Sequence, residues 1–76
     1  MRAKQTILIS KNIAKSREEA KRIASAYADR IYTIRETDNF YRLRQLPPYK
    51  FVKGSFKTYK VKTGIYIVYG ELKSKR

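Results

Sequence analysis

Arg42 and Arg44 stand two residues apart in the stretch F-Y-R-L-R-Q-L-P-P-Y-K, which runs from Phe40 to Lys50. Arg35 precedes them, across Asp38-Asn39. In an extended strand, residues two apart lie on one face, so these two side chains share a side. A guanidinium is a flat fork of donors that matches phosphate oxygens or a guanine edge. Lys60 and Lys62 would lengthen the strip as point charges, and Phe40 and Tyr69 offer rings on which unpaired bases stack. The candidate nucleic-acid-binding set is therefore Arg35, Arg42, Arg44, Lys60, Lys62 and Phe40. For any one of these residues a solvated strand face is an equally good account; three arginines on one face weigh against it.

Other chemistry is poorly supplied. The chain has no histidine and no cysteine, which removes the usual bases, nucleophiles, disulfides and common zinc ligands. Its carboxylates are Glu18, Glu19, Asp29, Glu36, Asp38 and Glu71. They read as a helix-start pair with turn and surface acids, not as the converging set a two-metal nuclease needs. Gly54, Gly64 and Gly70 are isolated, so there is no phosphate loop. We expect no catalytic residue, no metal and no cofactor.

Charge is the strongest compositional signal. Nineteen Lys and Arg against six Asp and Glu leave a net +13. Heat-adapted proteins raise Glu together with Lys; here most cations have no anionic mate. The excess costs self-repulsion, which a polyanion relieves by exchanging its counterions for lysines and arginines. The first half, to Asp38, carries +4 and the second +9, an asymmetry that points to one contact face. Solubility alone or an acidic protein partner are the competing explanations. A membrane surface is disfavoured, because no expected helix is both basic on one face and strongly apolar on the other. No apolar run approaches a membrane span or a signal-peptide core, so an intracellular protein is expected.

The elements that must hold these residues follow from periodicity. Seventy-six residues make one domain with a thin core, since at this size folding hides only about 60% of the surface of the unfolded chain. Thr6–Ser10 reads as a buried strand, after a loose basic start over residues 1–4. Ser16-Arg17-Glu18-Glu19 has the form of a capping box, and Ala20, Ile23, Ala24, Tyr27 and Ala28 make one apolar stripe, so a helix is expected from Arg17 to Asp29. Ile31–Thr37 and Phe40–Leu46 form a hairpin about Asp38-Asn39, residue types that tolerate positive φ. Its pairs are Thr37–Phe40, Arg35–Arg42, Ile34–Leu43 and Thr33–Arg44. Tyr32, Ile34, Tyr41 and Leu43 then face inward, and Thr33, Arg35, Phe40, Arg42 and Arg44 outward. Pro47-Pro48 ends the ladder. Ser55–Lys62 and Ile65–Leu72 make a second hairpin about Thr63-Gly64, with Tyr59, Val61, Tyr66 and Val68 on one face and Thr58, Lys60, Lys62, Ile65, Ile67 and Tyr69 on the other. Tyr27, Tyr32, Tyr41, Tyr59 and Tyr66 are expected in the core, and residues 73–76 form a loose basic end. The fold class is α+β, in the order β-α-β-β-β-β: one mostly antiparallel sheet with a single helix packed on one face.

The segments R-L-R-Q-L-P-P-Y-K-F-V-K-G-S-F-K-T and G-I-Y-I-V-Y-G-E-L-K, with S-R-E-E-A-K-R-I-A before them, resemble small proteins carried by phages, archaeal viruses and related mobile elements. The resemblance covers Ile9 to Lys73. It implies a context, an accessory protein inside an infected or element-bearing cell, and no residue roles. The expected function is non-enzymatic nucleic-acid binding, DNA favoured over RNA, through the arginine face. The alternatives are a module that binds or inhibits a host protein through Ile65, Ile67 and Tyr69 or a strand edge, a ribosome-associated protein, and a homodimer paired along a sheet edge.

Overall fold

The apolar run T-I-L-I-S lies at the middle of the sheet. In a computed structural model that describes residues 2–28 and 33–73, β1 (Arg2–Ser10) has a neighbour on each side. Strands β2 (Thr33–Glu36), β3 (Phe40–Arg44), β4 (Lys57–Lys62) and β5 (Ile65–Glu71) complete one sheet in the order β2-β3-β1-β5-β4. Every neighbouring pair is antiparallel. A strand flanked on both sides and covered on one face wants a nearly continuous apolar sequence, and this is the stretch of the chain that has one. Strand β1 is longer than its apolar run: Arg2, Ala3 and Lys4, expected to be loose, pair with Glu71, Gly70 and Tyr69. Residues 74–76 of the basic end lie outside the described residues.

Among the described residues a single α-helix, α1 (Arg17–Ala24), packs on β1 and β3. Ser16 caps it, its hydroxyl accepting from the Glu19 N–H at 3.1 Å. The return bond differs from a capping box, because Glu19 Oε1 accepts from the Lys15 N–H at 2.6 Å and not from Ser16. The helix ends at Ala24, not Asp29; turns carry the chain through Tyr27, and Asp29 lies outside the described residues. Its small stripe does what it promised. Ala20 and Ala24 are fully buried, and with no side chain beyond Cβ they bring the helix axis close to the sheet. They meet Ile7, Ile9, Tyr41, Leu43, Ile65 and Ile67, with Ile13, Ile23, Tyr27, Ala28, Ile34 and Tyr69 around them. Each large aliphatic chain so buried contributes about 1.5–3 kcal/mol relative to exposure.

The first hairpin has the expected register: Thr33–Arg44, Ile34–Leu43 and Arg35–Arg42. Its turn, however, uses no positive φ; among the described residues only Gly54 and Gly64 have one. Thr37 closes it, its N–H donating to the Phe40 carbonyl at 2.8 Å and its hydroxyl accepting from the Phe40 N–H at 3.2 Å. Tyr32 lies outside the described residues.

The second hairpin has a different register. Tyr59 faces Ile67, Thr58 faces Val68, Lys60 faces Tyr66 and Lys62 faces Ile65, with a shift between Lys60 and Lys62. Val61 is thus an extra residue, a β-bulge. Strand β5 is turned over relative to β4 accordingly. Ile65 and Ile67 turn to the helix and are buried, while Tyr66 and Val68 lie on the opposite face with Thr58 and Lys60. A matching shift at Gln5 of β1 keeps both ends of β1 and β5 paired.

The connection from β3 to β4 crosses the end of the sheet. After a short 3-10 turn (Pro48–Lys50), Phe51 bridges to Leu72 and is almost wholly buried. It is secured by Val52 N–H to Glu71 O at 2.7 Å and Lys73 N–H to Lys50 O at 3.0 Å. Phe51 and Phe56 pack with ring centroids 5.4 Å apart over Gly70, where a Cβ would stand 2.5 Å from Phe51 Cδ1.

Candidate nucleic-acid interface

The face turned away from α1 carries the candidate side chains in rows fixed by the pairing. One row across the sheet is Arg35, Arg42, Leu8, Tyr66 and Lys60; the next is Thr33, Arg44, Thr6, Val68 and Thr58. Three arginines thereby come to one corner. Arg35, Arg42 and Arg44, with Thr6 and Thr33, line a niche of 70 Å³. Among the described residues none of these arginine side chains has a hydrogen-bond or ion-pair partner. Arg35 and Arg42 sit directly opposite one another, a like-charge pair that costs stability.

An acid that does hold cations, Glu36, sits elsewhere. Glu36 accepts from Lys11 Nζ at 2.7 Å and lies 3.7 Å from Arg17 Nε. The Lys11 hydrogen bond, then the charges of Lys11 and Arg17, hold its carboxyl below the ordinary carboxylate value. It pairs with Tyr41 on the helix side of the sheet, so it neutralises nothing on the arginine face.

Beside the niche lies a larger concavity of 550 Å³. Leu8, Phe40, Phe56 and Val68 give it apolar walls, and Arg42 and Arg44 border it. Pro48 and Phe56 of the β3–β4 connection also line it. Phe40 meets Tyr66 edge to face, at 5.7 Å and 78°.

The six expected site residues divide. Arg35, Arg42, Arg44, Phe40 and Lys60 share this face. Lys62 does not belong to the row: it pairs with Ile65, a residue of the buried side, and the bulge at Val61 separates it from Lys60. Tyr69 is also displaced from its expected role. It lies on the helix side, 5.5 Å from the Tyr59 ring, and the Arg2 guanidinium is near both rings. Arg2 Nη2 donates to the Tyr59 hydroxyl at 2.8 Å; that bond raises the Arg2 pKa and lowers the Tyr59 pKa from their ordinary values. Ile65 and Ile67, expected outside as a protein-contact patch, are core. Tyr59 is exposed and Tyr66 lies on the arginine face, so neither belongs to the helix-side core where both were expected. Sequence reading missed Leu8, Phe56 and Val68 as parts of the concavity. Phe56 follows Gly54-Ser55 at the start of a strand, and only the crossing of the connection brings it over Gly70.

Compared with known protein families, with curated proteins and with solved structures, the chain matches none. Its class is therefore set by its own fold: a small α+β protein with a five-stranded antiparallel sheet and one helix. Among the described residues no helix is long and apolar enough to cross a membrane.

Proposed function

We propose that the protein binds nucleic acid, DNA before RNA, without catalysing a reaction on it, by neutralising phosphates with Arg35, Arg42 and Arg44 inside a cell. The observation that carries this reading is the niche of three arginines without an acid, in a chain of net +13. A fold that tolerates opposed, unpaired guanidiniums gains when an anion lies between them, because forked charge-assisted bonds replace repulsion. Lys60 extends the positive row to the far side of the sheet. The test is fluorescence anisotropy with labelled duplex DNA, single-stranded DNA and RNA at several salt concentrations. Affinity falling steeply with salt supports phosphate neutralisation. No binding to any of the three near physiological salt refutes it.

A protein partner is the second reading, and one observation favours it. All six residues of the edge strand β4 are exposed, leaving a free backbone edge for strand addition. Lys57, Lys60 and Lys62 weigh against a second copy pairing there, since lysines along an edge repel their own kind. An acidic extended segment is the partner that edge would accept, and capture of such a segment with no nucleic-acid binding would favour this reading.

A further inference from the structure

We infer that the ligand of this face is a single-stranded nucleic acid, with an unstacked base seated in the concavity lined by Phe40 and Phe56 and neighbouring phosphates on Arg35, Arg42 and Arg44. This rests on the nucleic-acid reading and names the form of the ligand.

Width speaks first. Five strands at about 4.8 Å spacing make a face about 19 Å across, whereas the major groove of B-DNA is about 12 Å wide. The arginine hairpin β2–β3 does not project as a free ribbon, because β3 continues into β1 and the rest of the sheet. Laid face-on, the sheet cannot enter the groove.

The character of the face speaks second. The row across the sheet has cations at its ends, Arg35 with Arg42 and then Lys60, and Leu8 and Tyr66 between them. The adjoining concavity has the apolar walls of Leu8, Phe40, Phe56 and Val68, bordered by Arg42 and Arg44. A duplex offers phosphates outward and hides its base faces in the stack, so it would leave that apolar middle dry and unpaired. A single strand offers both components, phosphates for the rim and a base face for the rings. At 550 Å³ the concavity falls within the roughly 300–1,000 Å³ of small-ligand sites.

The aromatic lining speaks third. Phe56 follows the Pro47-Pro48 connection, packs on Phe51 over Gly70, and lines the same concavity as Phe40. Two rings along one concavity offer stacking surface to unstacked bases.

The test uses the whole chain with three labelled probes at matched salt: oligo-dT of about 16 nucleotides, the corresponding oligo-U, and a duplex of the same length. The single strand is expected to bind about tenfold or more tighter than the duplex. Phe40→Leu and Phe56→Leu are each expected to weaken single-strand binding roughly 5- to 100-fold and to abolish the preference, with circular dichroism unchanged. Ultraviolet cross-linking of the wild-type complex should map to Phe40, Phe56 or Tyr66. If Phe56→Leu unfolds, Phe40→Leu and the cross-link map decide. Tighter binding of oligo-U supports the base seat and corrects the sugar. Duplex binding at least as tight as single-strand binding, or wild-type affinity in Phe40→Leu with cross-links elsewhere, overturns the inference and leaves the phosphate reading standing. Absence of binding to all three ends both.

Discussion

Arg35 and Arg42 face each other across β2 and β3 with Arg44 one row away, and the nearest ion-paired acid, Glu36, points to the other side of the sheet. Each arginine that meets a phosphate of a single strand contributes about 0.7 to the slope of log affinity against log salt. Replacing Arg35, Arg42 and Arg44 together with glutamine should therefore flatten that slope by about 2 and leave the circular dichroism spectrum unchanged; an unaltered slope would locate binding elsewhere. At low salt, Arg35→Gln alone should raise the melting temperature slightly, since it removes a repelling pair of about 0.2–1 kcal/mol. Glu36 gives a pH prediction. Its carboxyl is held below the ordinary value of about 4.3, so the unfolded chain takes up this proton first. The contribution of the Lys11–Glu36 pair is whole above the unfolded value and is lost as pH falls through the folded one. Thermal melts from neutral to acid pH should show that loss in the wild type and a smaller one in Glu36→Gln.

At the scale of elements, the cap and the crossing connection hold the face in place. Ser16→Ala should cost about 1 kcal/mol by removing the hydroxyl that accepts from Glu19, measured by urea unfolding. Gly70→Ala should cost about 1–3 kcal/mol, because the new Cβ would stand 2.5 Å from Phe51 Cδ1 and 3.1 Å from Phe56 Cδ1. It would disturb the wall of the concavity as well.

These elements also show where the sequence could be read and where it could not. Hairpin β2–β3 was legible because Ile34, Tyr41 and Leu43 alternate with Arg35, Arg42 and Arg44, and any other register would mix the two sets. Hairpin β4–β5 offered apolar residues on both faces, so alternation could not choose between registers. The choice was made by the extra residue at Val61, a bulge with no composition of its own. The order of strands came from which partner covers T-I-L-I-S on each side, a contact between distant segments. The three arginines were thus visible in advance, and the apolar concavity beside them was not.

For the whole molecule, the net +13 links stability and binding with opposite signs. Raising salt screens self-repulsion, the Debye length falling from about 30 Å at 0.01 M to about 8 Å at 0.15 M. The melting temperature should rise over that range, by about 4–8 °C for each kcal/mol regained in a domain of this size. Nucleic-acid affinity should fall over the same range. A soluble polyanion at low salt should raise the melting temperature without added salt. A melting temperature that falls with salt would mean that ion pairs, not repulsion, dominate the fold.

The central position of β1 has a consequence for how the chain reaches this state. Both neighbours of β1 come later in the sequence, β3 after the helix and β5 more than fifty residues on. No early hairpin can satisfy the I-L-I backbone, and the two local hairpins join only through this distant strand. Loop-closure entropy must be met before those contacts form, so refolding should fall toward the slow, millisecond-to-second end for a domain of this size. Until β5 docks, T-I-L-I-S is an uncovered sticky strand. The net +13 then keeps neighbouring unfinished chains apart.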